Sequence, residues 1–172
     1  MKTFIVLLRG INVGGNNILP MKELVSLLEE NNYQKVTTYI QSGNVVLQSE
    51  KKPINIGSLI ESKFGFKPDI LILNKKEFLK ASKNNPFEDT IGNQLHFLFC
   101  KELPSPDLNK IEALISATEE YCIIGKVVYM HAPEGIGRSK LSVKFEKCLG
   151  VSATGRNLNT VNKLVGMVEL ID

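Results

Sequence analysis

The chain of 172 residues is long enough for one sizeable hydrophobic core or two small ones. Apolar residues at 43% and charged residues at 23% are ordinary for a globular protein, and 21 cations against 18 anions leave a net charge of +3. That balance is too mild to announce a nucleic-acid binder, and no apolar run approaches the roughly 20 residues needed to cross a bilayer, so no membrane partner and a cytoplasmic location are expected.

Phe4 to Leu8 form an apolar run that Arg9 interrupts, and no small-residue cleavage site follows; it reads as a buried first strand rather than a signal core. The stretch Arg9 to Asn17 holds three glycines and three asparagines in nine residues. Such a loop can visit positive φ and bring backbone N–H groups close to an anion. Pro20 then starts an amphipathic helix over 20–31, with Met21, Leu24, Val25 and Leu28 on one face. Val36 to Ile40 and Val45 to Leu47 flank Gln41-Ser42-Gly43-Asn44 as a hairpin. Ile56, Leu59, Ile60 and Phe64 mark a helix, Asp69 to Leu73 a strand, and Asn74 with Glu77 a capping pair that opens a short helix to about Ser82.

Turn formers in 85–93 separate an N-terminal half, 1–84, from a C-terminal half, 94–172. Leu95 to Cys100 is an apolar strand, and Asp107 caps a helix carrying Leu108, Ile111, Leu114 and Ile115. Tyr121 to Ile124 and Val127 to Met130 make a second hairpin about Gly125-Lys126. A polar segment from Ala132 to Ser142 leads to a short helix around Val143 to Leu149, and Leu158, Val161, Leu164, Val165 and Val168 give a closing helix. Both halves therefore read strand, helix, hairpin, helix. That is the start of the split βαβ, ferredoxin-like plait, so the expected fold is α+β with two tandem halves and antiparallel sheets.

Four stretches carry a resemblance. Leu7 to Gly15 with Met21, Thr38 to Val45, Arg138 to Leu141, and Ala153 to Asn157 with Thr160 and Leu164 resemble the motifs of the bacterial family catalogued as domain of unknown function 1697. The resemblance spans essentially the whole chain. It implies a cytoplasmic bacterial protein with a tandem ferredoxin-like arrangement and transfers no activity. Pro20 stands where a basic residue often precedes the Met, which removes one anion contact, and Gly155 stands where Ala is usual.

The loop fails the known nucleotide templates. Gly10 and Gly15 have nucleoside-triphosphate-loop spacing, but Asn16 and Asn17 replace the Lys and the hydroxyl residue. The glycine spacing also fails the dinucleotide fingerprint. Arg9 at the end of an apolar strand must find an anion, carbonyls or water. Ser42 and Asn44 suit either hairpin-turn chemistry or a site shared with the first loop. Arg138, Ser139, Thr154, Arg156 and Asn157 repeat guanidinium, hydroxyl and amide groups before predicted helices, where capping and anion binding both apply.

Together Arg9, Gly10, Asn12, Gly14, Gly15, Ser42, Asn44, Arg138, Ser139, Thr154, Arg156 and Asn157 have the donor inventory of a phosphate or carboxylate clamp. None of these motifs contains Asp, Glu, His or Cys, so no acid, base or nucleophile is identified. His96 and His131 have no Cys or carboxylate at metal-ligand spacing, so no metal is expected and no cofactor has a signature. Cys100, Cys122 and Cys148 are scattered, as reduced thiols are. Ser42 lacks the upstream glycine of a nucleophile elbow.

The sequence thus points first to binding of a phosphorylated or otherwise anionic small molecule or nucleotide. The alternatives are an enzyme on an anionic substrate and an oligomerisation or interaction scaffold whose motifs only cap helices. Nucleic acid is less favoured, because Tyr39, Phe97 and Phe99 do not form an aromatic-basic sheet pattern. The oligomeric state is not encoded in any motif.

Overall fold

The structure is a computed structural model that describes residues 1–171. Its first elements are β1 (Lys2–Arg9), α1 (Met21–Glu30), β2 (Gln34–Tyr39), β3 (Asn44–Ser49), α2 (Ile56–Phe64), β4 (Asp69–Asn74) and α3 (Lys75–Lys83). Then follow β5 (Leu95–Cys100), α4 (Leu108–Leu114), β6 (Glu120–Ile124), β7 (Val127–His131), α5 (Lys140–Leu149), β8 (Ala153–Asn157) and α6 (Leu158–Leu170). A 3-10 turn over Ile136–Arg138 precedes α5. Each run of β-α-β-β-α-β makes a four-stranded antiparallel sheet, ordered β2-β3-β1-β4 in the first and β6-β7-β5-β8 in the second. The fold is α+β with two tandem ferredoxin-like halves, each followed by one further helix.

Alternation along the strands decides what each sheet face packs against. In the first unit Phe4, Val6 and Leu8 of β1 join Val45 and Leu47 of β3 beneath Leu24, Leu27 and Leu28 of α1 and Ile56 and Ile60 of α2. Ile5, Leu7 and Val46 point the other way and are also fully buried, which is why β1 reads as an unbroken apolar run. In the second unit Cys100, Val128 and Met130 meet Ile111 of α4 and Leu141, Phe145 and Cys148 of α5. Phe97 and Tyr129 pack edge-on at 5.0 Å on the opposite face, where the Tyr129 hydroxyl donates to the Ala81 carbonyl at 2.6 Å.

By packing, the first unit comprises Met1–Lys80 together with the chain from Lys163, and the second comprises Ala81–Asn162. Within the first unit the Lys35 ammonium donates to the Ile171 carbonyl at 2.7 Å.

Local chemistry sets the element ends. The Asn74 N–H donates to Glu77 Oε2 and the Glu77 N–H to Asn74 Oδ1, each at 2.9 Å, the reciprocal cap expected from their spacing. Asp107 accepts from the Lys110 N–H at 3.2 Å and opens α4. Two expectations are corrected. The helix expected around Val143 begins at Lys140, because Ser139 accepts from the Ser142 N–H at 3.0 Å and caps it there. Residues 153–157, read as a polar approach to the last helix, form the edge strand β8, paired with β5 from Cys100↔Ala153 to His96↔Asn157. Ala-Thr-Gly-Arg-Asn has little strand propensity of its own, and the pairing with β5 overrides it.

Candidate anion-binding site

The glycine-rich loop is a miniature hairpin. Val13 and Asn16 bridge, and the Asn16 N–H donates to the Val13 carbonyl at 3.0 Å. Gly14 and Gly15 turn between them at φ 58° and 75°, the pair of positive values that a mirror-image two-residue turn requires. Asn12 fastens this loop to its surroundings. Its amide nitrogen donates to the Leu19 carbonyl at 3.0 Å and the Gln41 carbonyl at 2.8 Å, while its oxygen accepts from the Leu19 N–H at 2.8 Å. The Asn17 amide likewise donates to the Gly10 carbonyl at 2.9 Å.

The first loop and the β2–β3 turn therefore lie side by side. The Leu8 N–H donates to the Gly43 carbonyl at 2.8 Å, and a Cβ on Gly43 would come within 2.7 Å of both Leu8 Cβ and Ile11 Cδ1. Asn44 is fully buried and donates to the Tyr39 carbonyl at 2.9 Å and to Ser42 Oγ at 3.2 Å. Asn12 and Asn44 thus spend their amides on building the two turns. Arg9, Gly10, Gly14, Gly15 and Ser42 are exposed, and Arg9 stands opposite Asp69 in the β1–β4 register.

The second-unit residues fall into two places. Arg138, exposed at the end of the 3-10 turn, and Lys140 line a cleft of about 250 Å³ with Leu114, Ser116, Glu119 and Glu134. Ser139 between them is buried, its hydroxyl committed to the cap of α5. Thr154 and Arg156 are instead on the sheet, opposite Phe99 and Phe97 in register, and do not line that cleft. Thr154 is buried, and Arg156 donates to the Gly155 carbonyl at 2.9 Å. Burial pushes the guanidinium down to about 10, which leaves it charged at neutral pH. Asn157 accepts from the Thr160 N–H at 3.0 Å in the first turn of α6.

Sequence reasoning missed Lys140, Glu119 and Glu134 as neighbours of Arg138. Lys140 was visible as the third residue of the Arg-Ser-Lys motif, and Glu134 precedes Arg138 on the same connection; Glu119 comes from the connection between α4 and β6, and no spacing signals it.

The titratable groups elsewhere suit packing. Burial, with Glu146 nearby, pushes the Cys100 thiol up to about 11, so it is protonated at neutral pH. Burial holds the His96 imidazole below its ordinary value, and its buried Nδ1 has no hydrogen-bond partner among the described residues. Among the described residues no three His, Cys, Asp or Glu side chains are grouped to hold a metal ion, and no helix is long and apolar enough to cross a membrane.

Fold and surface chemistry define an α+β protein of two ferredoxin-like units with arginine-bearing turns. The chain belongs to the family described as "protein of unknown function (DUF1697)", whose model matches residues 1–129. It is similar to a solved structure of a conserved bacterial protein from Streptococcus pneumoniae, with a TM-score of 0.73 and 24% identity over 97% of this chain and 98% of that one. That likeness supports the fold. Comparison with curated proteins returns no match.

Proposed function

We propose that the protein binds a small anionic compound, such as a phosphorylated metabolite or nucleotide, in the cleft of Arg138 and Lys140. The observation that carries this reading is that two cations of one sequence motif line one concave site at the start of α5. A guanidinium supplies a planar fork of donors matched to phosphate or carboxylate oxygens, and the ammonium adds a second positive charge. Glu119 and Glu134 make the cleft mixed in sign, and Glu119 already accepts from the Ser116 N–H at 3.1 Å. The ligand chemistry that fits is an anionic group for the two cations joined to hydroxyl or ammonium donors for Glu134.

A melting-temperature screen against phosphate, sulfate, sugar phosphates, nucleotides and short single-stranded nucleic acids tests this. A ligand at about 100 times its Kd stabilises by about 2.7 kcal/mol. The expected result is a selective shift that Arg138→Ala and Lys140→Ala each remove, while Arg9→Ala, on the exposed surface of the other unit, retains it. A shift lost only with Arg9→Ala moves the site to the glycine-rich loop, and no shift with any anion leaves the motifs a structural role.

A further inference from the structure

Ala113 and Leu114 of α4 line the Arg138 cleft and also line a second cleft, of about 380 Å³, where α4 and α5 pack side by side. Together with Cys148 of α5 they give this second cleft a mainly apolar floor, and Lys110, Lys144 and Lys147 stand around it. Lysine lays its methylene stem on such a surface and keeps its ammonium in water, so an apolar lining and a positive rim are compatible. Lys140, Lys144 and Lys147 are exposed and recur at helical spacing, a stripe that runs about 10 Å along α5 from the first cleft to the second. Like charges at these spacings destabilise a helix, and Lys140 adds a cation at the positive end of α5, where an anion is favoured instead. On the α4 side Lys110 lies 3.7 Å from Asp107 Oδ2, an exposed pair of the kind that contributes little.

We propose that the ligand is an amphiphilic acid, whose anionic head meets Arg138 and Lys140 and whose apolar body lies against Ala113, Leu114 and Cys148 in the adjoining cleft. The assignment rests on the anion cleft proposed above and narrows its ligand from any phosphate or carboxylate to one that carries an apolar body. Small-molecule sites commonly enclose roughly 300–1,000 Å³, with mainly apolar walls and a few polar groups that fix orientation. Neither cleft has that combination alone: the first supplies the polar groups and the second the apolar wall. A wholly polar anion, such as inorganic phosphate, would leave the second cleft in water and gain nothing from it. The three lysines at its rim repel a cationic body, so the hydroxyl or ammonium donor for Glu134 belongs beside the head.

Calorimetric titration with two matched pairs, methyl and hexyl phosphate and then acetate and heptanoate, reads the second cleft separately from the first. Each pair keeps its head and differs in apolar length. In at least one pair the longer ligand is expected to bind about tenfold more tightly or better, because every methylene taken out of water adds to affinity. Ala113 is exposed on α4, where glutamine suits a helix, and Ala113→Gln sets an amide across the junction of the clefts; it should cut that ratio to about twofold or less. Arg138→Ala should weaken long and short ligands alike. Equal affinities within each pair that binds overturn the amphiphile and leave the anion cleft standing. A chain-length advantage that Ala113→Gln leaves in place puts the apolar body elsewhere and overturns it too. Binding of no member of either pair overturns both readings.

Discussion

Gly43 meets two demands at once, a φ of 90° and a gap too small for a methyl group beside Leu8 and Ile11. Left-handed strain and overpacking together predict that Gly43→Ala destabilises by about 2–4 kcal/mol in urea denaturation. Asn12→Ala removes three hydrogen bonds and leaves the Leu19 N–H and the Leu19 and Gln41 carbonyls to find water. The expected cost is about 1–3 kcal/mol, with the glycine-rich loop becoming the first site of protease cleavage. His96 predicts a pH dependence. Because burial lowers its affinity for a proton in the folded chain, the unfolded chain binds that proton first as the pH falls below about 6.5. Stability therefore declines with acidity through that window until the folded-state imidazole itself titrates, and His96→Leu should flatten this part of a melting-temperature profile. The sequence identified the residue types of the two turns but not their duties. Asn12 and Asn44 were legible as polar donors, and only the fold shows their amides bonded to Leu19, Gln41 and Tyr39.

Elements with a strong period or a local cap were readable without coordinates. The apolar alternatives at 3.6-residue spacing in α1 and the Asn74–Glu77 pair before α3 are decided within a few residues of chain, so local sequence suffices. β8 was not readable, since its strand character comes from β5, more than fifty positions away in sequence. The Arg138 cleft was half readable for the same reason: the motif and Glu134 share one connection, while Glu119 arrives on the separate connection between α4 and β6. Ser139 offers a direct test at this scale. Ser139→Ala should cost about 1 kcal/mol through the lost cap of α5, measured by denaturation, yet leave anion binding by Arg138 and Lys140 intact. A variant that loses ligand affinity without losing stability would instead make that hydroxyl a ligand contact.

For the molecule as a whole, length allowed one sizeable core or two small ones, and the repeat of β-α-β-β-α-β gives each unit an apolar cluster of its own. Pattern similarity without sequence similarity is what packing demands: each unit needs apolar faces of the right period, and the identity of the residues on them is free within volume limits. The unit boundaries depend on packing that no local signal carries. Residues from Lys163 onward pack with the first unit, where Lys35 and Gln48 both donate to the Ile171 carbonyl. Replacing Lys35 by Met should therefore lower hydrogen-exchange protection in β2 and in the last turn of α6 together, while leaving the core of the second unit protected.

That membership gives synthesis a direction of its own. Chains emerge from the ribosome N-terminus first and fold by units as they appear. Here the strands and helices that emerge earliest wait for the segment after Lys163 to reach its full set of contacts, whereas Ala81–Asn162 has all of its own residues before that segment is made. The half of the protein that is written first is the half that is finished last.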